Sequence, residues 1–221
     1  MAKSERDTPH QVGVMITPLP RLYAIIDPAQ APGIAPAEIA RILLEAGVRL
    51  IQYRDKRATS RQLLLAAGEI AGQVQQSSAF FIVNDRADVA RVLNAHGVHL
   101  GQDDLPVDLA RRVLQPGQWI GFSTHTLDQV KEADETSADY IAFGPIFSTR
   151  SKENPDPVVG LDGLRRARLA TRKPLVAIGG ITLENARATL EAGADSVAVI
   201  SALLSAPDVA QCASEFLRAV E

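Results

Sequence analysis

From Arg21 onward the chain alternates between short runs rich in β-branched and aromatic residues and longer stretches in which apolar positions recur every three or four residues. The short runs have the character of strands and the longer ones that of amphipathic helices. Strands are predicted at Leu22–Asp27, Leu50–Arg54, Phe80–Asn84, Gly97–Gly101, Trp119–Ser123, Tyr140–Phe143, Leu175–Ile178 and Ser196–Ile200. Helices are predicted at Pro36–Ala46, Ser60–Gln75, Ala87–Ala95, Pro106–Leu114, Leu127–Glu135, Leu161–Ala170, Leu183–Ala192 and Pro207–Val220. The punctuation agrees: Gly47 and Gly193 sit where helices stop, Thr182 sits at an N-cap, and Pro207 suits a first helical turn.

Strict alternation of strand and helix predicts a parallel sheet with crossover helices. Seven repeats of about 25 residues lead from the end of the first strand at Asp27 to the end of the eighth at Ser201. Eight such units predict closure into a single-domain (β/α)₈ TIM barrel over residues 21–221. The rival is an open doubly wound sheet, which would carry a glycine-rich dinucleotide turn after its first strand. Here that turn reads Asp27-Pro28-Ala29-Gln30, and the sequence contains neither that fingerprint nor a P-loop.

Composition narrows the function classes. With 46% hydrophobic and 22% charged residues, the 221-residue chain has the material for a packed core. Its 23 basic and 26 acidic residues leave a net charge of −3, so no global field draws it to nucleic acid or to an anionic membrane. A small-molecule partner is the expectation. The single cysteine, Cys212, excludes an internal disulfide and a cysteine-rich metal site, which predicts a reducing compartment, the cytoplasm. Residues 1–20 read as a mobile leader: Pro9, Pro18 and Pro20 oppose regular structure, and the apolar run around Val12–Ile16 is too short for a signal peptide or a membrane span.

In such a barrel the C-terminal strand ends form the active-site face, and here they are polar. Strand two leads into Gln52, Arg54 and Lys56, which a period of two places on one side; the alternative is a solvated strand end. Strand three ends in Asn84-Asp85 and strand four in Gly101-Gln102-Asp103-Asp104. Asp85 and Asp104 are hard oxygen donors of the kind Mg²⁺ takes alongside water and phosphate oxygens, although Asp85 could instead cap the helix near Ala87. Strand five supplies Ser123-Thr124-His125 without a nucleophile elbow. Ser123 therefore reads as a hydrogen-bonding group, while His125 is either a base or a loop-orienting residue, and His96 and His99 read as loop-orienting.

The segment Gly144 to Lys152, with Thr149 and Ser151, is long for a βα turn and reads as a lid over phosphates or as a surface loop. Gly179-Gly180 and Ile200-Ser201 follow strands seven and eight, where barrels commonly hold a phosphate on backbone N–H groups. Two anion sites on one face, one suited to metal and cations, imply two phosphorylated substrates and a transferase that expels pyrophosphate.

The blocks Gln52-Tyr53-Arg54-Asp55-Lys56, Val83-Asn84-Asp85-Arg86, Gly97 to Asp104, Ser123-Thr124-His125, Gly144-Pro145-Ile146-Phe147 with Thr149, Ser151 and Lys152, Ile178 to Ile181, and Val199-Ile200-Ser201 closely resemble the thiamine phosphate synthase family, in matching order from about Arg21 to Leu217. The resemblance implies a barrel that joins 4-amino-2-methyl-5-hydroxymethylpyrimidine diphosphate to a thiazole phosphate, giving thiamine phosphate and pyrophosphate by a dissociative route. It implies Mg²⁺ on Asp85 and Asp104, pyrophosphate on Arg54, Lys56 and Lys152 beside Thr149 and Ser151, and the pyrimidine near Gln52, Asn84 and Ser123. It also implies the thiazole phosphate at Gly180, Ile200 and Ser201, and catalytic roles for Arg54, Lys56, Ser123 and Lys152. Ser151 stands where the family often has threonine, and Arg150 adds a charge. The alternatives are the related thiazole tautomerase, which needs an acid or base where this chain has Pro145, and a non-catalytic thiamine phosphate-binding regulator.

Overall fold

The computed structural model describes residues 18–149 and 156–221. The expected leader, apart from Pro18, Leu19 and Pro20, lies outside the described residues, as do Arg150, Ser151 and Lys152.

Eight parallel strands close into a barrel in chain order, with β8 paired to β1. They are β1 (Leu22–Ile26), β2 (Leu50–Tyr53), β3 (Phe80–Asn84), β4 (Gly97–Leu100), β5 (Trp119–Thr124), β6 (Tyr140–Phe143), β7 (Leu175–Ile178) and β8 (Ser196–Val199). Nearly every strand residue is buried, as a parallel sheet covered on its outer face by helices requires. In β1 the period of two is explicit. Tyr23 and Ile25 point into the barrel with Leu50, Ile82, Trp119, Val176 and Ala198, whereas Leu22, Ala24 and Ile26 join the larger core between sheet and helices.

The helices are α1 (Pro36–Glu45), α2 (Ser60–Val74), α3 (Ala87–Val92), α4 (Val107–Val113), α5 (Leu127–Asp134), α6 (Gly160–Ala170), α7 (Leu183–Glu191), α8 (Ser201–Leu204) and α9 (Val209–Val220). None of them is long and apolar enough to cross a membrane. Thr59 and Thr126 open α2 and α5 with capping boxes closed by Gln62 and Gln129. Gly47 and Gly193 end α1 and α7 in left-handed backbone, at φ of 96° and 115°, where a side chain would be strained.

Several boundaries differ from the sequence reading. Helix α3 stops at Val92 because Asn94 turns left-handed at φ 51°. Pro207 precedes the last helix, whose N-cap is Asp208, accepting from the Gln211 N–H at 2.9 Å. Two short elements were not anticipated: a 3₁₀ turn at Pro28–Gln30 and α8, which places Ser201 at a helix start directly after β8. Leu19, which the sequence placed in the leader, is buried with the apolar side chains inside the barrel.

Candidate active site

One cavity opens at the C-terminal ends of the strands. Gln52, Arg54, Asn84, Ser123, Thr149, Gly180, Ile200 and Ser201 all line it, so the structure gathers eight of the predicted site residues around one space. Its floor is apolar, with Ile25, Ala142, Val176 and Ala198, and its walls are polar. That combination suits a ring held on an apolar seat and oriented by a few hydrogen bonds.

Below the polar wall runs a connected set of bonds. Gln52 Nε2 donates to Tyr23 Oη at 2.7 Å, and Tyr23 Oη lies 2.9 Å from Tyr140 Oη. Tyr140 Oη is 3.1 Å from His99 Nδ1, and His99 Nε2 is 2.8 Å from Ser123 Oγ. Burial pushes both phenols well above their ordinary range, so they remain protonated hydroxyls. Gly121 makes room for this arrangement: a Cβ there would collide with Tyr140 and with His99 Nδ1. His99, expected from the sequence to orient a loop, is instead a buried link between two strands.

The charged groups form the rim. Arg54 is ion-paired with Asp27, a nearly buried carboxylate that also accepts from the Ala29 N–H at 3.0 Å. Lys56 is exposed and pairs with Asp85. Asp85 does not cap α3, whose N-cap is Arg86 without a side-chain cap bond. It sits in left-handed backbone at φ 61°, uncommon outside glycine, with its carboxyl against that of Asp104. Burial pushes the Asp85 carboxyl up, the Asp104 carboxyl pushes it further, and Lys56 pulls it partly back. Asp104 Oδ2 also accepts from the Gly101 N–H at 2.7 Å.

Two carboxyls held together against their preference fit a divalent cation. Among the described residues no cluster of three or more His, Cys, Asp or Glu side chains could hold a metal, so an ion here would complete its shell with water and phosphate oxygens, as Mg²⁺ does. Asp85, Asp104 and Lys56 lie outside the lining of the main cavity. The charged residues that the sequence reading assigned to a diphosphate therefore form a rim beside the cavity, with Arg54 at the junction.

The expected lid is partly a clamp. Gly144, Pro145 and Ile146 are buried, and the Ile146 and Phe147 N–H groups donate to Ile178 and Gly179 carbonyls at 2.9 Å each. A Cβ at Gly180, whose φ is 65°, would lie 2.5 Å from Ser148 O and 2.7 Å from Phe147 Cβ. The glycine pair therefore admits the β6 loop as well as opening the cavity wall. His125 Nδ1 donates to Gly144 O at 2.7 Å, which is the loop-orienting role rather than that of a base. His96 is structural too, its Nδ1 accepting from the Phe81 N–H at 3.1 Å.

Sequence reasoning missed Tyr23, Asp27 and Tyr140. A tyrosine in a β-rich run reads as core, and Asp27 looked like ordinary turn chemistry. The available signal was register: Tyr23 precedes Ile25 by two on the inner face, and Tyr140 precedes Ala142 in the same way.

The family description "Thiamine monophosphate synthase" matches residues 22–203. A thiamine-phosphate synthase of Koribacter versatilis is 51% identical over 205 residues, covering 90% of this chain and 95% of that protein. One from Methanospirillum hungatei is 43% identical over 195 residues, covering 88% and 95%. The solved thiamine phosphate pyrophosphorylase of Pyrococcus furiosus superposes with a TM-score of 0.82 at 37% identity, covering 91% of this chain and 95% of that one. The closed barrel, the polar cavity at its C-terminal face and these matches across its length agree, and the chain is an enzyme belonging to the thiamine monophosphate synthase family.

Proposed function

We propose that the enzyme joins 4-amino-2-methyl-5-hydroxymethylpyrimidine diphosphate to a thiazole phosphate, forming thiamine phosphate and releasing pyrophosphate. The observation that carries this reading is the division of one barrel face into three parts. Neutral hydrogen-bonding groups at Gln52, Asn84 and Ser123 share that face with a rim of cations and paired carboxylates and with a wall at Gly180, Ile200 and Ser201.

In the proposed reaction the bond between the pyrimidine methylene carbon and the diphosphate oxygen breaks, and its electron pair leaves with pyrophosphate. The exocyclic amino group delocalises the charge left on the methylene, and the thiazole nitrogen lone pair then forms the new carbon–nitrogen bond. Arg54 and Lys56 stabilise the departing charge, and both are already held by carboxylates, Asp27 and Asp85, so little side-chain freedom is lost on binding. Mg²⁺ on Asp85 and Asp104 would supply further neutralisation of the diphosphate. Lys152, Ser151 and Thr149 complete the anion site in this reading. No general base is required, in keeping with His125 being tied to a carbonyl and with Pro145 lining the wall where a tautomerase needs an acid or base.

The Asp85→Ala and Lys152→Ala variants test these roles. Each should fold with unchanged circular dichroism and lose about a hundredfold or more in turnover, the scale on which removing one charge-stabilising group acts. Wild-type turnover in either folded variant refutes the assigned role.

A further inference from the structure

We infer that Tyr23, Tyr140 and His99 are positioning residues forming a hydrogen-bond relay that couples the donor or acceptor sense of Gln52 on one cavity wall to that of Ser123 on another. The inference deepens the proposed function, because it concerns how the same cavity recognises its heteroaromatic substrate.

Four consecutive bonds join five side chains from five different strands or strand ends. Each hydroxyl between the ends has one hydrogen to give, so fixing one bond fixes the next. Gln52 donates to Tyr23, so Tyr23 gives its own hydrogen to Tyr140. Tyr140 then donates to His99 Nδ1, which places the proton of the neutral imidazole on Nε2. His99 Nε2–H donates to Ser123 Oγ, and the serine hydroxyl hydrogen is left to turn toward the cavity that Ser123 lines. In this state Gln52 offers the cavity its Oε1 acceptor and Ser123 offers a donor. A reversed glutamine amide would reverse every bond, leaving Gln52 a donor and Ser123 an acceptor. With Gln52 donating, a doubly protonated imidazole leaves Tyr23 accepting from both neighbours with its own hydrogen unpaired; with the amide reversed it completes the bonds but buries a charge and turns both ends into donors.

Both states with a neutral imidazole present one donor and one acceptor, not two of a kind. That polarity matches a ring edge carrying an amino donor beside a ring-nitrogen acceptor, and it disfavours an edge with two donors or two acceptors, since one buried group would go unpaired. The construction supports this use. Nine-tenths or more of Gln52 and His99 is buried, the two phenols are fully enclosed, and His99 stacks on Tyr140 with ring centroids 5.6 Å apart. Position 121 is glycine, the one residue whose lack of a Cβ lets that stack pass.

The test has two arms. In substrate-free wild-type protein, ¹⁵N NMR of the His99 ring should show one neutral tautomer with the proton on Nε2, and Tyr140→Phe should populate both tautomers. In steady-state assays Tyr23→Phe and Tyr140→Phe should lose about tenfold in kcat/KM for the pyrimidine diphosphate, the scale of one buried hydrogen bond, while KM for the thiazole phosphate stays put. His99→Gln can accept from Tyr140 and donate to Ser123, so it should retain most of the activity that His99→Leu loses. A mixed or doubly protonated His99 in the wild type, or a tautomer unchanged in Tyr140→Phe, overturns the relay. So do folded Phe variants with wild-type kinetics. Absence of pyrophosphate release by the wild type would count against the functional reading instead, and the NMR arm would still decide the relay.

Discussion

The surroundings of Asp85 disfavour its charged form. Burial and the adjacent Asp104 carboxyl raise its pKa, and Lys56 offsets this only in part. A carboxyl whose folded pKa lies above its unfolded value contributes stability at low pH and loses it as the pH rises through the folded value. Asp85→Asn removes that cost. The variant should therefore melt higher than wild type at neutral pH without metal, while losing turnover. A lower melting temperature would show that the Lys56 pair outweighs the repulsion. Asp85 and Asp104 were legible in the sequence because carboxylates at successive strand ends are conspicuous. Asp27 was not, since its partner Arg54 lies 27 positions away and only the pairing of β1 with β2 brings them together.

The contact between the β6 loop and β7 shows how an element can serve site and fold at once. Gly179-Gly180 was read from sequence as a phosphate wall, and the structure adds that the backbone of Pro145–Ser148 presses onto it. Gly180→Ala should cost at least about 2 kcal/mol, through left-handed strain and the contact with Ser148 O, and should raise KM for the thiazole phosphate. Unchanged melting would contradict that packing. At the opposite end of the barrel, His96 accepts from the Phe81 N–H and packs edge-on to Phe80, and burial lowers its pKa. A histidine with a depressed folded pKa contributes stability that is full above the ordinary histidine range and is lost as the pH falls through it. Thermal melts between about pH 7.5 and 5.5 should show that loss, and His96→Gln should flatten it. Strand and helix positions were legible from periodicity, whereas α8 and the 3₁₀ turn were not, because four and three residues carry no period.

Across the molecule, eight repeats of similar length predicted closure, and closure is what gathers strand ends far apart in sequence around one cavity. The repeat count was legible because each unit carries its own strand and helix pattern. The interior relay was not, because it depends on which residues of different strands face each other inside a closed cylinder, and Tyr23 and Tyr140 are 117 positions apart. The net charge of −3 conceals the arrangement that matters, with Arg54 and Lys56 each against a carboxylate at the mouth. The proposed reaction requires this mouth to expel pyrophosphate. Purified protein given Mg²⁺, the pyrimidine diphosphate and the thiazole phosphate should release pyrophosphate and thiamine phosphate in equal amounts, and a chelator should stop both. Isomerisation of the thiazole phosphate alone, insensitive to chelator and without pyrophosphate, would contradict the account in favour of a tautomerase.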